Sequence, residues 1–247
     1  RDRCGMTLQR FTREEFLTTR WNYQLGEHVS LIAPTQNGKT TMLFALVKHT
    51  DFSFCRIPPI MLVAKPRDRV VAQGLADLEW KETEQWPPRK APWRDKPPGY
   101  GLWPKHIKNA SSEVNNAHLA KAFEPAIGEA YWGGNSVLVA DEVYFLCVLG
   151  LQSRLTDHWT KGHGMGAGLW TATQKPSGTT QASIPSFMYN SPTHTFLGKD
   201  PDRRNRERFS EIGGIDGKTV GETVLKLGKY EWLYIHRDGP TMCIVEA

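Results

Sequence analysis

Leu31-Ile32-Ala33-Pro34-Thr35-Gln36-Asn37-Gly38-Lys39-Thr40-Thr41 follows a short apolar run, Val29 to Ile32, and leads into the helix-like Met42-Leu43-Phe44-Ala45-Leu46-Val47. The stretch meets the phosphate-loop pattern G-x-x-x-x-G-K-[ST] at every position but the first, where Ala33 stands for glycine. A loop of this kind wraps successive backbone N–H groups around an anion at the start of a helix, where unpaired amides and the helix dipole both favour negative charge. Pro34, Thr35, Gln36, Asn37, Gly38, Lys39, Thr40 and Thr41 are therefore the expected nucleotide-binding residues. Gly38 permits close approach, Lys39 reaches the outer phosphates, and the Thr40 hydroxyl is expected to ligate Mg²⁺. A chance Gly-Lys-Thr would lack the strand before it and the helix after it.

The chain has 247 residues, which suits one large α/β domain, 1–247, better than two full ones. Its 39% apolar and 23% charged residues are ordinary for a soluble globular protein. No apolar run approaches the ~18 residues of a membrane span, and no secretory pattern opens the chain. The expectation is a cytoplasmic protein that does not insert into membranes. Cys4, Cys55, Cys147 and Cys243 are far apart and read as structural thiols rather than metal ligands. The 31 Lys and Arg against 26 Asp and Glu give a net +5, a mild pointer to a polyanionic partner. Between Trp86 and Lys108, Arg89, Lys90, Arg94, Lys96, Lys105 and Lys108 face a single acid, Asp95.

Along the chain, Arg13 to Leu17 is helix-like, and Trp21 and Tyr23 are expected in the core or at its edge rather than over an adenine. Ile60-Met61-Leu62-Val63-Ala64 fits a strand buried on both faces, with Lys65-Pro66-Arg67-Asp68 at its ligand-displaying end. Over residues 81 to 108 the prolines exclude a regular helix or central strand, so the segment reads as a Pro/Trp-rich surface insertion. Its tryptophans are expected to pack; Arg89, Lys90, Arg94, Lys96 and Lys105 are expected to contact DNA or a neighbouring subunit. A helix from Ser112 to about Trp132 should break or kink at Pro125. A helical region from Val143 to His163, interrupted near Gly150, is followed by a strand over 168–173. Thr193 to Leu197 reads as a strand and Asp202 to Ile212 as a charged helix. Glu231 to Ile235 and Thr241 to Val245 read as a C-terminal hairpin within about 229–247. No internal repeat is present.

Ser136-Val137-Leu138-Val139-Ala140-Asp141-Glu142 carries the second part of the chemistry. A carboxylate at the end of a buried strand, Asp141, is expected to hold Mg²⁺ together with Thr40. Glu142, adjacent but not a ligand, is placed to orient or deprotonate an attacking water. Gln174, at the tip of the following strand, can reach the γ-phosphate or that water. No H-x-x-x-H or H-E-x-x-H spacing occurs, no G-x-S-x-G elbow supplies a nucleophile, and His158 and His163 read as surface residues.

Val137 to Glu142, then a helix, a Gly-rich turn, Leu169-Trp170-Thr171-Ala172-Thr173-Gln174-Lys175-Pro176 and Ile184-Pro185 resemble the FtsK/HerA superfamily of DNA-pumping ATPases. The resemblance covers about residues 28 to 215, and departs from the family pattern at Ala33 and at Lys175, where arginine is usual. It implies an α/β, RecA-like P-loop NTPase: a central, mostly parallel sheet flanked by helices, plus the insertion and the hairpin. It further implies ATP and Mg²⁺ as cofactors, double-stranded DNA as partner and a homo-oligomeric ring of five or six subunits. A neighbour's arginine would complete each site; Arg154 is favoured over Arg203, Arg204, Arg206 and Arg208 because it alone lies between the catalytic strands. The expected function is an ATP-driven DNA translocase for genome packaging or DNA transfer in a phage or mobile element, working with a viral portal or membrane channel protein and located in the host cytoplasm if viral. The alternatives are the ATPase part of a large terminase and a nucleotide-switched assembly factor that does not move DNA.

Overall fold

A computed structural model describes residues 8–88, 96–174, 185, 188, 191–209, 212, 215–238 and 241–247. The chain runs β1 (Gln9–Phe11), α1 (Arg13–Thr19), β2 (Val29–Ile32), α2 (Lys39–Lys48), β3 (Ile60–Leu62), α3 (Arg69–Asp77), β4 (Lys81–Thr83), β5 (Tyr100–Leu102) and α4 (Ser112–Gly133). It continues as β6 (Ser136–Ala140), α5 (Val143–Val148), α6 (Gln152–Lys161), β7 (Ala167–Thr173), β8 (His194–Gly198), α7 (Arg203–Arg208), α8 (Gly217–Lys226), β9 (Trp232–His236) and β10 (Thr241–Val245). The ten strands among the described residues join one sheet in the order β1-β10-β9-β8-β2-β7-β6-β3-β5-β4. Only β9 runs against its neighbours, pairing antiparallel with β8 and β10.

Side chains alternate between the faces of a strand, and here both faces are covered. Val137 and Val139 of β6 pack with α1, α2 and α3 on one side, through Phe16, Leu43, Leu46 and Val71. Leu138 and Ala140 pack with α4, α6 and α8 on the other, through Phe123, Ile127, Leu155 and Val224. That burial explains the unbroken apolar runs, and each fully buried Leu or Val contributes about 1.5–3 kcal/mol. Trp21 and Tyr23 are buried in the first of these layers.

Three expectations are corrected. Residues 81 to 108 are not wholly a surface insertion, because β4 and β5 join the sheet and β5 lies between β3 and β4. Pro98 and Pro104 flank β5 rather than interrupt it, and its Gly101 leaves room for Leu75, whose Cδ1 lies 2.5 Å from where a Cβ would stand. Trp86 is buried and donates from Nε1 to Glu129 Oε2 at 2.6 Å; Trp103 donates to Lys65 O at 2.7 Å. Of the break or kink expected at Pro125, the break is absent: α4 runs on through it, since one missing N–H leaves the rest of a 22-residue helix intact. His158 is fully buried, and burial pushes its pKa down to about 4. The break near Gly150 is present, with that glycine at φ +81 between α5 and α6. α3 and α8 were not anticipated.

Candidate nucleotide site

Parallel strands end at one edge of a sheet, where α/β folds present ligand-binding loops. Ile32 of β2 lies beside Thr173 of β7, and Ala140 of β6 beside Thr171. The residues that follow these strands therefore converge: loop 33–38, Gln174, and Asp141-Glu142.

The loop's shape follows from its residues. Gly38 caps α2 at φ +76, a left-handed conformation that glycine adopts freely. Asn37 Nδ2 donates to Lys199 O at 3.0 Å, fastening the loop to the end of β8. The irregular Ala33 is accommodated by Gly198 of β8, where a Cβ would lie 2.6 Å from the Ala33 methyl. Its methyl thus occupies space that a glycine on the next strand leaves open. Lys39 Nζ donates to Ala33 O at 2.7 Å and Pro34 O at 2.9 Å, which holds the ammonium against the loop. Burial pushes the Lys39 pKa down, against the pull of Glu142 and Asp141.

Thr40 Oγ1 donates to Asp141 Oδ1 at 2.8 Å. Hydroxyl and carboxylate oxygens are the donor set that Mg²⁺ prefers, so these residues fit that ion. Lys65, at the end of β3, lies 3.5 Å from Asp141 Oδ2 and 3.1 Å from Asp68 Oδ2. Burial lowers the Lys65 pKa, but Asp141 and Asp68 outweigh it and the net shift is upward. The sequence placed residues 65–68 at the ligand edge without assigning Lys65 a role.

Gln174 joins two parts of the site. Its Oε1 accepts from Thr35 Oγ1 at 2.9 Å, and its Nε2 donates to Glu142 Oε2 at 3.1 Å. Burial pushes the Glu142 pKa up, more than Gln174 and Lys39 pull it down. These residues line a cavity of about 540 Å³, to which Arg13, Lys229 and Tyr230 also contribute. The last three were not anticipated. A larger cavity, about 830 Å³, lies by β4 and β5 with bases and acids mixed along its wall; the smaller one holds the phosphate loop and the carboxylates.

Arg154 is not brought to this cavity. It sits on α6, half exposed, ion-paired with Glu124 of α4 at 2.6 Å. Arg203 pairs with Glu207 at 2.7 Å, and Arg206 donates to Asp200 O at 2.9 Å. Arg89, Lys90 and Arg94 lie outside the described residues. Lys96 is exposed, and Lys105 is exposed and ion-paired with Glu84. Among the described residues no helix is long and apolar enough to cross a membrane. At the opposite edge of the sheet, Glu27, His194 and His236 come together. His194 is hydrogen-bonded on both ring nitrogens, to Glu27 Oε2 at 2.8 Å and Tyr234 OH at 2.9 Å.

No protein-family model matches the chain, and no curated protein matches it by sequence. Solved structures match it in fold. The genome packaging NTPase B204 of Sulfolobus turreted icosahedral virus 2, in complex with sulfate, aligns with a TM-score of 0.58 at 13% identity, over 91% of this chain and 98% of that one. The fold is that of a P-loop NTPase. B204 in complex with ATP-gammaS aligns with a TM-score of 0.57 at 12% identity, over 91% and 98% of the two chains. The pCW3 conjugation coupling protein TcpA, a monomer form with ATPgS, aligns at 0.52 and 13%, over 90% of this chain and 60% of that one. These neighbours are P-loop ATPases of the FtsK/HerA type, the group that the sequence resembles.

Proposed function

We propose that the chain is an ATPase, a single P-loop domain over 1–247, that moves double-stranded DNA in genome packaging or DNA transfer. The observation that carries the ATPase reading is the hydrogen-bonded path Thr35–Gln174–Glu142, set beside the Thr40–Asp141 pair at one strand edge. The loop amides and Lys39 bind the phosphates. Thr40 and Asp141 would hold Mg²⁺, which when bound neutralises charge on the β- and γ-phosphate oxygens. Glu142 orients the attacking water and takes its proton. Gln174 fixes the Glu142 carboxylate and reports the state of the loop through Thr35.

The DNA part of the reading rests on the sequence resemblance and on the packaging and conjugation neighbours. Subunits assemble into a ring of five or six, with Arg154 leaving Glu124 to reach the neighbour's γ-phosphate, an interaction worth about 10³ to 10⁵ in rate where it operates. A portal or membrane channel protein is the docking partner. The exposed Lys96 and Lys105 contact DNA phosphates, so binding weakens as salt rises.

ATP turnover of the full chain, measured with and without duplex DNA, tests both parts. Turnover that rises with DNA and falls about 10²- to 10³-fold in Lys39→Ala is the expected result. Equal turnover in the parent and Lys39→Ala rejects the ATPase reading; turnover indifferent to DNA rejects the motor.

A further inference from the structure

We infer that Tyr230, flanked by Lys229 and Arg13, forms the nucleoside-binding side of this cavity, with the Tyr230 ring stacking on the base. The inference rests on the ATPase reading and extends it to a part of the site for which the sequence carries no motif.

The topology brings these residues to the nucleotide edge from the two ends of the chain. β9 is antiparallel to its neighbours, so its first residue, Trp232, lies where β8 ends, paired with Gly198. Tyr230, just before β9, therefore stands beside the phosphate loop. β1 runs parallel to β10, and Arg13 follows β1 as the first residue of α1.

Tyr230 is held in an uncommon state. Its φ is +69, a left-handed conformation that costs a bulky side chain energy; such strain persists where the surroundings fix it, and it clusters at ligand sites. Here Glu231 supplies the fixing. Its Oε2 accepts from Gly228 N at 2.6 Å, and its other oxygen is ion-paired with Arg10, which also pairs with Glu246 at 2.6 Å. The ring rests on the loop, with Cδ1 3.2 Å from the place of a Cβ on Gly38, and stays 40% exposed. Lys229 Nζ lies 4.9 Å from the ring centroid. Arg13 lines the same cavity, and its buried Nε has no hydrogen-bond partner among the described residues.

The direction of the ligand follows from the carboxylates. Glu142 and Gln174 lie beyond β6 and β7, which fixes the γ-phosphate end of a bound triphosphate on that side of β2. The nucleoside then extends the other way, across β8 toward Tyr230. A base stacked on that ring, with Arg13 donating to the ribose or the α-phosphate, uses the part of the Tyr230 ring left open and a guanidinium whose Nε has no partner among the described residues.

Affinities of the full chain for ATP and for inorganic tripolyphosphate, each with Mg²⁺, provide the test. Tyr230→Ala should weaken ATP about tenfold, the loss of one stacked base, and leave tripolyphosphate unchanged. Tyr230→Phe should restore ATP affinity. Tyr230→Gly relieves the left-handed backbone while removing the ring, so it separates stacking from strain and should behave like the alanine variant. ATP and tripolyphosphate weakening by one factor, or neither weakening, overturns the inference. Lys39→Ala keeps the two readings apart: both polyphosphates surviving that change overturns the phosphate-loop reading and this inference with it, whereas loss of both at Lys39→Ala without nucleoside selectivity at Tyr230 overturns this inference alone.

Discussion

The two sides of the cavity are built by different means. On the carboxylate side, Asp141, Glu142 and Gln174 each follow a buried parallel strand; Gln174 joins Glu142 to Thr35 of the loop, and Asp141 accepts from Thr40. On the other side, Arg13, Lys229 and Tyr230 come from the chain's two ends, held by the ion pairs Arg10 makes with Glu231 and Glu246. The first side is assembled around core strands and cannot shift without moving the core. The second rests on edge elements and exposed charges and can adjust. On the proposed function, chemistry belongs to the rigid side, and selectivity for the nucleoside to the adjustable one.

The sharpest way to break that division is Glu142→Gln. Losing the general base should cost about 10²- to 10⁴-fold in turnover while ATP affinity holds; a large loss of affinity instead would put Glu142 on the binding side. The pH dependence gives a second readout. Burial raises the Glu142 pKa above its ordinary 4.5, so turnover should fall, as pH drops, at a pH higher than an unshifted carboxylate would give. The same shift has a sign for stability. A carboxylate with a raised folded pKa binds more protons when folded, so stability declines as pH rises from the unfolded value through the folded one. Melting curves should therefore show Glu142→Gln more stable than the parent at pH 8, with the difference gone below pH ~4.

Gln174→Ala comes next in size. It removes the link from Thr35 to Glu142 without removing a charge or the base, so kcat should fall about 10- to 100-fold, within the span of a positioning contact, with KM for ATP little changed. A rise in KM with kcat intact would make Gln174 a phosphate contact rather than a positioning residue. Gln174→Glu sharpens this further, because a carboxylate in that place repels Glu142 and cannot donate to it.

What the sequence could reveal followed the same division. The loop, the Asp141-Glu142 pair and Gln174 were legible because each is a short local pattern at the end of an apolar run, and parallel pairing alone brings such ends together. Tyr230 and Arg13 were not, since their meeting depends on β9 reversing direction and on β1 pairing with β10. The tolerance of Ala33 was hidden for a related reason: it depends on Gly198, which only the β2–β8 pairing makes a neighbour. β5 was missed because prolines on either side masked Tyr100–Leu102, and His158 because a lone histidine on a polar helix carries no mark of burial. α3 does carry a helical period, with Val71 and Leu75 one turn apart and Leu78 half-buried on the same face, so its signal was present in the sequence.

The smallest effect tests the support of the adjustable side. Arg10 is half exposed, so its ion pairs with Glu231 and Glu246 add little to global stability, about 0–1 kcal/mol. Their consequence lies in the backbone between Gly228 and Glu231, which carries Tyr230 in its left-handed conformation. Arg10→Ala should thus leave the melting temperature nearly unchanged yet weaken ATP about two- to threefold, a fraction of the stacking contribution, with tripolyphosphate binding unaffected. Added salt should shrink the difference between Arg10→Ala and the parent, since exposed pairs are screened. If Arg10→Ala instead lowers kcat and leaves ATP affinity alone, the edge strands act on the chemistry, and the two sides of the cavity are one mechanical unit rather than two.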